Sequence, residues 1–319
     1  MTIKHLVFSG GGPVAIKILG ILRRLEENNI WNMNNIESIY GTSAGVIMAV
    51  ILCLRYDWDT IKVYFIERPW NEVFNIKPES VFNMYNTKGV LNIDTFIQFF
   101  KPLFDAKNIP LNITLQEFYD YSKVDLHLFS VEVNEYKLCE ISHKTHPSLS
   151  LITAVYMSCA IPILFSPVCI DNKCYVDGGM LNNYPIKNCL NKHKKEEEIL
   201  AFKNEYIEVE KKPTICEDSN LFDYITCLMK SFISSFNTMP KITVTNEIKC
   251  KTQDITFDYF DIALNSECFR KELYENGLQV GEDYIPILKN NIEPKKETKE
   301  TKESKEIKET KETKGSESI

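Results

Sequence analysis

Residues 36–54, IESIYGTSAGVIMAVILCL, decide the fold. The apolar run 36–40 predicts a short strand, and the long apolar segment that begins at Val46 predicts a helix. Between them, the G-x-S-x-G pattern is typical of a sharp strand-to-helix turn that lifts the Ser43 hydroxyl clear of the backbone. A side chain in place of Gly41 or Gly45 would collide with the neighbouring strand or helix. The pentapeptide alone is a weak signal, and an ordinary loop stays open as an alternative.

A second strand–turn–helix unit lies at the beginning of the chain. The apolar run 5–9 leads into Gly10-Gly11-Gly12, and apolar residues then recur at helical spacing. Three consecutive glycines let backbone N–H groups line an anion-sized hollow, which suits either a phosphate-binding loop or an oxyanion hole. G-x-G-x-x-G spacing fails at Ala15, so the serine turn on the next unit favours the oxyanion hole over a phosphate loop or a turn without a task. Two such units predict an α/β fold with a mostly parallel sheet covered by helices.

Further along, hydrophobic periodicity predicts more strands and helices. The predicted strands are 126–133, 174–176, 199–202 and 255–259, and the predicted helices are 93–104, 149–158 and 268–278. From Lys296 the chain repeats triplets such as Lys-Glu-Thr, and a period of three without an apolar stripe cannot bury a core. We therefore expect one domain, residues 1–292, and a disordered tail, residues 293–319.

A serine nucleophile needs a group that takes its proton, most often a histidine. The five histidines are His5, His127, His143, His146 and His193. We expect the first two to be packed or edge residues of strands, the next two to lie in a polar loop, and the last to be solvated among lysines.

The alternative base is an aspartate that follows a predicted strand. Asp177 is followed by Gly178 and Gly179, which leave room for another group to approach the carboxylate. An aspartate with an ordinary pKa of about 4 is a poor base at neutral pH. It becomes adequate in a partly desolvated site when the oxyanion is stabilised separately. A turn or capping aspartate stays open as an alternative, as does a Ser–Asp–His triad that uses His193.

The order of these motifs resembles the patatin-like phospholipases. Five further stretches are similar to that family: residues 114–119 (TLQEFY), 158–162 (SCAIP), 165–168 (FSPV), 175–179 (YVDGG) and 183–185 (NYP). The resemblance covers roughly residues 5–205. It implies a three-layer α/β/α sandwich and a metal-independent lipid acyl hydrolase without a cofactor. Ser43 would be the nucleophile and Asp177 the base, and the backbone amides of Gly10, Gly11 and Gly12 would form the oxyanion hole.

One segment departs from the family pattern. The family usually has a basic residue two positions after the glycines and then another glycine, whereas this chain has Pro13, Val14 and Ala15. Pro13 suits the first turn of a helix, and Lys17 lies about one helical turn further on, where it is a candidate replacement. This departure motivates a second hypothesis, a catalytically impaired lipid-binding protein of the same fold.

Composition limits the partners and the setting of the protein. The formal net charge of -7 and the lack of a Lys/Arg block argue against nucleic-acid binding. Ten scattered cysteines, with only Cys169 and Cys174 close enough to face each other across a hairpin, indicate reduced thiols in a cytoplasmic protein. The N-terminus has no signal-peptide layout, and no apolar run approaches the roughly 20 residues of a membrane span.

A lipid substrate requires contact with a membrane or micelle, which we expect to be transient and peripheral. Residues 221–236 carry a broad apolar face at helical spacing, typical of either a lipid-contacting lid or a core helix. Trp58, Trp70, Phe82 and Tyr85 are candidates for the core or for the lining of an acyl pocket. The oligomeric state is left open.

Overall fold

The fold is built on an eight-stranded, mostly parallel sheet with apolar cores on both of its faces. The computed structural model describes residues 2–207, 215–219, 224–225, 227–228, 242–253 and 256–292. The predicted tail 293–319 and most of the predicted helix 221–236 lie outside these residues. In the described part of the chain, no helix is long and apolar enough to cross a membrane.

The elements follow in chain order. The strands are β1 (His5–Phe8), β2 (Ser38–Thr42), β3 (Gly89–Leu91), β4 (Asp125–Glu132), β5 (Lys137–Ile141), β6 (Ile163–Phe165), β7 (Val168–Ile170), β8 (Lys173–Asp177), β9 (Ile199–Tyr206) and β10 (Glu247–Thr252). The helices are α1 (Val14–Glu27), α2 (Ala44–Cys53), α3 (Trp58–Glu67), α4 (Trp70–Val73), α5 (Pro78–Thr87), α6 (Ile93–Ala106), α7 (Leu115–Ser122), α8 (Leu151–Cys159), α9 (Ile186–Lys192), α10 (Phe257–Asn265) and α11 (Glu267–Ile292).

The sheet has the strand order β10-β9-β1-β2-β4-β8-β7, and β5 also pairs with β4. From β10 to β4 all neighbours are parallel, whereas β8 and β5 run antiparallel to β4, and β7 antiparallel to β8. A separate two-stranded parallel sheet joins β3 to β6. The expected mostly parallel sheet is therefore confirmed, with antiparallel strands added on the β4 side.

Alternate residues of the central strands enter different cores, as the two-residue period of a strand requires. Leu6 and Phe8 of β1 join the larger core with α1, α2, α6, α8 and α11. Val7 of β1 joins the smaller core on the opposite face, together with Tyr40 and residues of α9. This division gives the three layers that the family resemblance implies.

The predicted strand at 255–259 is wrong. Helix α10 begins at Phe257, and the Thr256 hydroxyl accepts a hydrogen bond from the Tyr259 N–H at 3.1 Å as its N-terminal cap. Aromatic and β-branched residues made this stretch resemble a strand, but the cap and the packing of Tyr259 on Phe269 favour a helix. The strand of this region is β10, whose alternate residues Ile248, Cys250 and Thr252 are buried.

The cysteines follow the prediction with one exception. Cys169 and Cys174 pair across the β7–β8 hairpin and form a disulfide, so the expectation that every thiol is reduced is wrong for this pair. Cys53, Cys159, Cys189 and Cys250 are buried and lie outside any disulfide.

Helices α1 and α11 cross at very short range. A Cβ built on Gly277 would lie 2.0 Å from the Lys17 carbonyl oxygen, and one on Gly20 would lie 2.3 Å from the Tyr274 carbonyl oxygen. Both obstacles are backbone atoms, which cannot rotate away as a side-chain end would. The two glycines therefore set the distance between the helices, and α11 fixes α1 behind the glycine loop.

Gly277→Ala should lower the free energy of unfolding by roughly 1–3 kcal/mol, because overpacking exceeds the gain of about 1 kcal/mol that alanine gives inside a helix. Urea unfolding measures this change. The matched control is Asn276→Ala on the exposed side of α11, which should be neutral or slightly stabilising. Equal stabilisation by both substitutions would contradict the close crossing.

Candidate active site

One edge of β4 brings the ends of two other strands together. The last residue of β2, Thr42, pairs with Phe129, and the last residue of the antiparallel β8, Asp177, pairs with the next position of β4, Ser130. β5 pairs with β4 residues that also pair with β2 and with β4 residues that also pair with β8. Since β5 occupies one edge of β4 at these positions, β2 and β8 must both lie on the other edge. β2 and β8 therefore share one edge of β4 end to end. The residue after β2, Ser43, consequently lies beside Asp177.

Ser43 occupies a strained turn. Its backbone has φ 54° and ψ -128°, a region that residues with side chains rarely adopt. A Cβ built on Gly41 would lie 2.8 Å from the Gly45 carbonyl carbon, and one on Gly45 would lie 2.7 Å from the Phe8 carbonyl oxygen. The predicted collisions with the following helix and the neighbouring strand are confirmed, and they hold the turn in this conformation.

Asp177 is a buried carboxylate with few donors. Only 5% of the residue is exposed, and its Oδ1 accepts the Gly179 N–H at 2.6 Å. Burial raises the pKa of Asp177 to about 6, and the Ser43 hydroxyl and the Gly179 N–H act against that rise. Among the described residues, Oδ2 has no hydrogen-bond partner, so the Ser43 hydroxyl is close enough to affect the pKa without forming an ordinary hydrogen bond. Such contacts often tighten only when substrate binds.

A fully buried serine connects the two parts of this site. The Ser158 Oγ accepts the Ser43 N–H at 3.1 Å and donates to the Phe129 carbonyl oxygen at 2.6 Å. Helix α8, which carries Ser158, also ends at the segment whose Ala160 carbonyl accepts the Asp177 N–H at 2.9 Å. Ser158 and Ala160 therefore fix the backbone of both residues. Both lie in a stretch that resembles the family, but that resemblance did not indicate this role.

Two asparagines hold the glycine loop against Ser43. The Asn183 and Asn204 side-chain amides donate to the Gly10 carbonyl at 3.1 and 2.9 Å, and the Gly10 N–H donates to the Asn183 carbonyl at 3.0 Å. A Cβ built on Gly10 would lie 2.9 Å from the Ser43 Cβ, so a side chain there would displace the serine. Asn183 lies within a stretch that resembles the family, whereas no motif in the sequence identified Asn204 on β9 as a site residue.

The N–H groups of the loop differ in their partners. Because Gly10 already donates to Asn183, its amide is not available to an oxyanion in this conformation. In the part of the chain that the structure describes, Gly11 and Gly12 have no acceptor for their N–H groups. Gly12 has φ 49°, which favours glycine. Of the three amides that the sequence predicted for an oxyanion hole, those of Gly11 and Gly12 therefore remain candidates in this conformation.

Lys17 does not replace the missing basic residue of the loop. Its buried side chain donates from Nζ to the Lys251 carbonyl oxygen on β10 at 2.7 Å, and burial lowers its pKa. Pro13 has φ -60° and α1 begins directly after it, as expected for a proline at a helix start. The loop is therefore held by neutral amides.

The histidines lie at the other end of the sheet. His193 is half-buried rather than solvated; it stacks on His5 at 3.6 Å and its Nε2 lies 3.1 Å from the Tyr40 hydroxyl. It also contacts Ser38, the first residue of β2, so about five strand residues, roughly 16 Å, separate it from Ser43. This distance excludes His193 as a direct partner of Ser43. His5 and His127 are packed within strands as predicted.

The pH dependence of stability should report the buried carboxylate. A pKa raised to about 6 means that the folded state holds the Asp177 proton more tightly than the unfolded chain does. The wild type therefore loses stability as the pH rises from about 4 to about 6, by on the order of 3 kcal/mol at 1.36 kcal/mol per pKa unit. Asp177→Asn should remove this loss and be more stable than wild type at about pH 7.5.

Urea unfolding of wild type and Asp177→Asn at pH values from about 4 to 8 measures this difference. Asp171→Asn, which removes an exposed carboxylate in the adjacent hairpin, is the matched control and should track the wild type. Parallel stability curves for wild type and Asp177→Asn would show that the carboxyl has an ordinary pKa.

The chain is similar to known proteins in sequence and in fold. The family model for patatin-like phospholipases matches residues 6–190. The uncharacterized protein R571 of Acanthamoeba polyphaga mimivirus is 30% identical over 186 residues, which are 58% of this chain and 60% of that protein. The probable lipid hydrolase 463L of Invertebrate iridescent virus 6 is 25% identical over 195 residues, 60% of this chain and 65% of that protein. The chain thus spans less than two thirds of the length of either relative.

Among solved structures, the fold is similar to that of VipD from Legionella pneumophila. The TM-score is 0.52 at 20% identity, with 91% of this chain and 67% of that chain covered. At this identity the likeness concerns the fold alone. The family match extends over more than half of the chain and contains the glycine loop, Ser43 and Asp177. The chain belongs to the patatin-like phospholipase family.

Proposed function

We propose that this protein is a lipid acyl hydrolase that cleaves carboxylic esters of phospholipids or related acyl lipids through an acyl-serine intermediate. Ser43 is the nucleophile and Asp177 the only base. The observation that carries the proposal is the buried carboxylate of raised pKa beside a serine in a strained turn, at the junction of two strand ends. Strain of this kind persists where the surrounding structure holds it, and it is common at active sites.

In the first half of the reaction, the Ser43 Oγ attacks the ester carbonyl carbon while its proton moves to the Asp177 carboxylate. The carbonyl oxygen becomes an oxyanion, which the N–H groups of Gly11 and Gly12 stabilise. Collapse of this intermediate breaks the ester C–O bond. Asp177 then gives its proton to the leaving alcohol oxygen, and the acyl group remains on Ser43.

In the second half, Asp177 takes a proton from a water molecule that attacks the acyl-serine. The same two amides stabilise the second oxyanion. When this intermediate collapses, the fatty acid leaves and the proton returns from Asp177 to the Ser43 Oγ. A single carboxyl with a pKa of about 6 suits both roles, because it changes protonation state readily near neutral pH.

The surroundings of the site support an apolar acyl chain. Ile161, Ile163 and Leu164 follow α8, and Met180 and Leu181 follow Asp177; all five are half-buried. Partly exposed apolar side chains on both sides of the carboxylate favour a substrate with a hydrocarbon chain. The family and the viral lipid hydrolase relative support the same substrate class.

Wild type should hydrolyse p-nitrophenyl esters and mixed phospholipids, and Ser43→Ala and Asp177→Asn should each lose on the order of a thousandfold or more of kcat. The assays contain EDTA, because the proposed steps involve no metal. The wild-type kcat/KM should rise as the pH passes about 6, since the base must be ionised to accept the proton.

His193→Ala is the control and should retain activity, because His193 lies at the far end of β2. Loss of activity in a correctly folded His193→Ala variant would instead support the Ser–Asp–His triad that uses His193. Wild type that binds lipid but hydrolyses no ester would contradict the proposal and favour an impaired lipid-binding protein.

Ser158→Ala should lower kcat by roughly ten- to a hundredfold with little change in KM, because the Ser43 N–H loses its acceptor and the nucleophile shifts. Labelling of Ser43 by a fluorophosphonate should slow in parallel. The matched control is Ser122→Ala, which removes another buried serine that accepts a backbone N–H, at the end of α7. Equal effects of both substitutions on kcat would show that Ser158 contributes only to the stability of the fold and does not position Ser43.

A further inference from the structure

Helix α5 presents an apolar face that none of the residues described by the structure buries. The helix has no buried residue, and Phe82 and Tyr85 are 86% and 92% exposed. Val81, one helical turn before Tyr85, is exposed as well. These three residues lie on one side of α5 because positions three and four apart are neighbours on a helix surface.

The opposite side of α5 attaches it to the protein. Ser80 and Met84, also four residues apart, are half-buried, and Met84 packs against the larger core. The sequence offered core or acyl-pocket roles for Trp70, Phe82 and Tyr85. Trp70 is buried in the core, whereas the other two face solvent. Burial of Met84 therefore orients the two aromatic rings outward.

A short structural path joins α5 to the active site. The chain passes from α5 into β3, whose first residue, Gly89, pairs with Ile163 of β6. Ile163 lies three residues after Ala160, whose carbonyl accepts the Asp177 N–H. Given about 3.5 Å per residue and about 5 Å between strands, Gly89 lies within roughly 20 Å of Asp177. Ile161 and Ile163, two of the half-buried apolar residues near the site, lie in the intervening segment.

The size of the exposed face argues against a protein partner. Two aromatic side chains bury about 150–250 Å² each, whereas a stable protein interface needs about 800 Å² per partner. Lys77 and Lys88 flank the helix at its two ends, and Glu79 is its only acidic residue. Aromatic residues on an apolar face with lysines at its borders are typical of a helix that lies in a membrane interface.

We propose that α5 docks the protein on a phospholipid bilayer, with Phe82 and Tyr85 inserted among the acyl chains near the headgroups and Lys77 and Lys88 beside lipid phosphates. This inference rests on the proposed function, since the substrate of a lipid hydrolase lies in such a surface. Because Gly89, which follows α5, lies within roughly 20 Å of Asp177, docking through α5 would place the candidate site near the same bilayer.

The experiment measures co-sedimentation of the full chain with phosphatidylcholine vesicles that contain about a third phosphatidylglycerol. It uses the Ser43→Ala background, so that binding is measured without turnover. Phe82→Ser/Tyr85→Ser should weaken binding at least tenfold. The matched control, Val63→Ser/Ile287→Ser, removes two exposed apolar side chains elsewhere and should leave binding unchanged. Lys77→Gln/Lys88→Gln should bind these anionic vesicles no more tightly than vesicles of phosphatidylcholine alone, whereas the parent protein should bind the anionic vesicles more tightly.

A second assay separates this proposal from the proposed function. In active protein, Phe82→Ser/Tyr85→Ser should hydrolyse a monomeric soluble ester at the wild-type rate and vesicle lipids at least tenfold more slowly. If soluble-ester hydrolysis is absent in wild type, the proposed function fails while the binding assay still tests α5. Equal vesicle binding by Phe82→Ser/Tyr85→Ser and Val63→Ser/Ile287→Ser would overturn the bilayer assignment. So would a wild-type dimer that Phe82→Ser/Tyr85→Ser converts to a monomer while the control variant stays dimeric.

Discussion

The antiparallel pairing of β8 with β4 is the constraint on which the site depends. Parallel strands such as β2 and β4 end at the same side of a sheet. A parallel strand that followed β2 along this edge of β4 would begin, rather than end, where β2 stops. Because β8 runs the other way along the same edge, its last residue arrives where β2 stops, with Phe129 and Ser130 as the adjacent partners. Ser43 and Asp177, the proposed nucleophile and base, thus lie side by side although they come from distant parts of the sequence. The rest of the site secures this junction, through Ser158 beneath the serine and the Asn183–Asn204 clamp on the glycine loop.

The junction is energetically unfavourable in two respects. Ser43 holds a strained backbone conformation, and Asp177 is a carboxylate with a single hydrogen-bond donor in ordinary geometry among the described residues. Both costs are tolerated because the neighbouring backbone leaves no space for relaxation, as the short contacts at Gly41, Gly45 and Gly10 indicate. The same burial that lowers stability gives the aspartate the basicity that an exposed carboxylate lacks. Stability and reactivity therefore oppose each other at this residue, and the large apolar core of α1, α2, α8 and α11 supports the site.

Sequence reasoning pointed to those parts of the candidate site whose structural cause is local. A serine between glycines, a glycine triplet and an aspartate before two glycines each contain their structural reason within a few residues, so the positions of Ser43, Gly10–Gly12 and Asp177 could be predicted. Asn204 and Ser158 could not, because each acts on a residue more than a hundred positions away, through strand pairing or helix packing. The strand predicted at 255–259 failed because propensity outweighed the Thr256 cap. The exposure of Phe82 could not be predicted either, because hydrophobic periodicity identifies an apolar face without showing what packs against it.

The loss of the family's basic residue after the glycine loop has a consequence for the base. A cation near the oxyanion would also lie near Asp177 and would lower the pKa of its carboxyl by favouring the charged form. In this chain Lys17 is bound to β10, and the shift of the Asp177 pKa arises from burial, opposed only by Ser43 and Gly179. Neutral asparagine amides hold the loop instead and add no charge. In the proposed mechanism, Pro13 and Val14 therefore leave Asp177 the stronger base but place no fixed charge near the oxyanion. The proposed stabilisation of the oxyanion then comes from the backbone dipoles of Gly11, Gly12 and the beginning of α1.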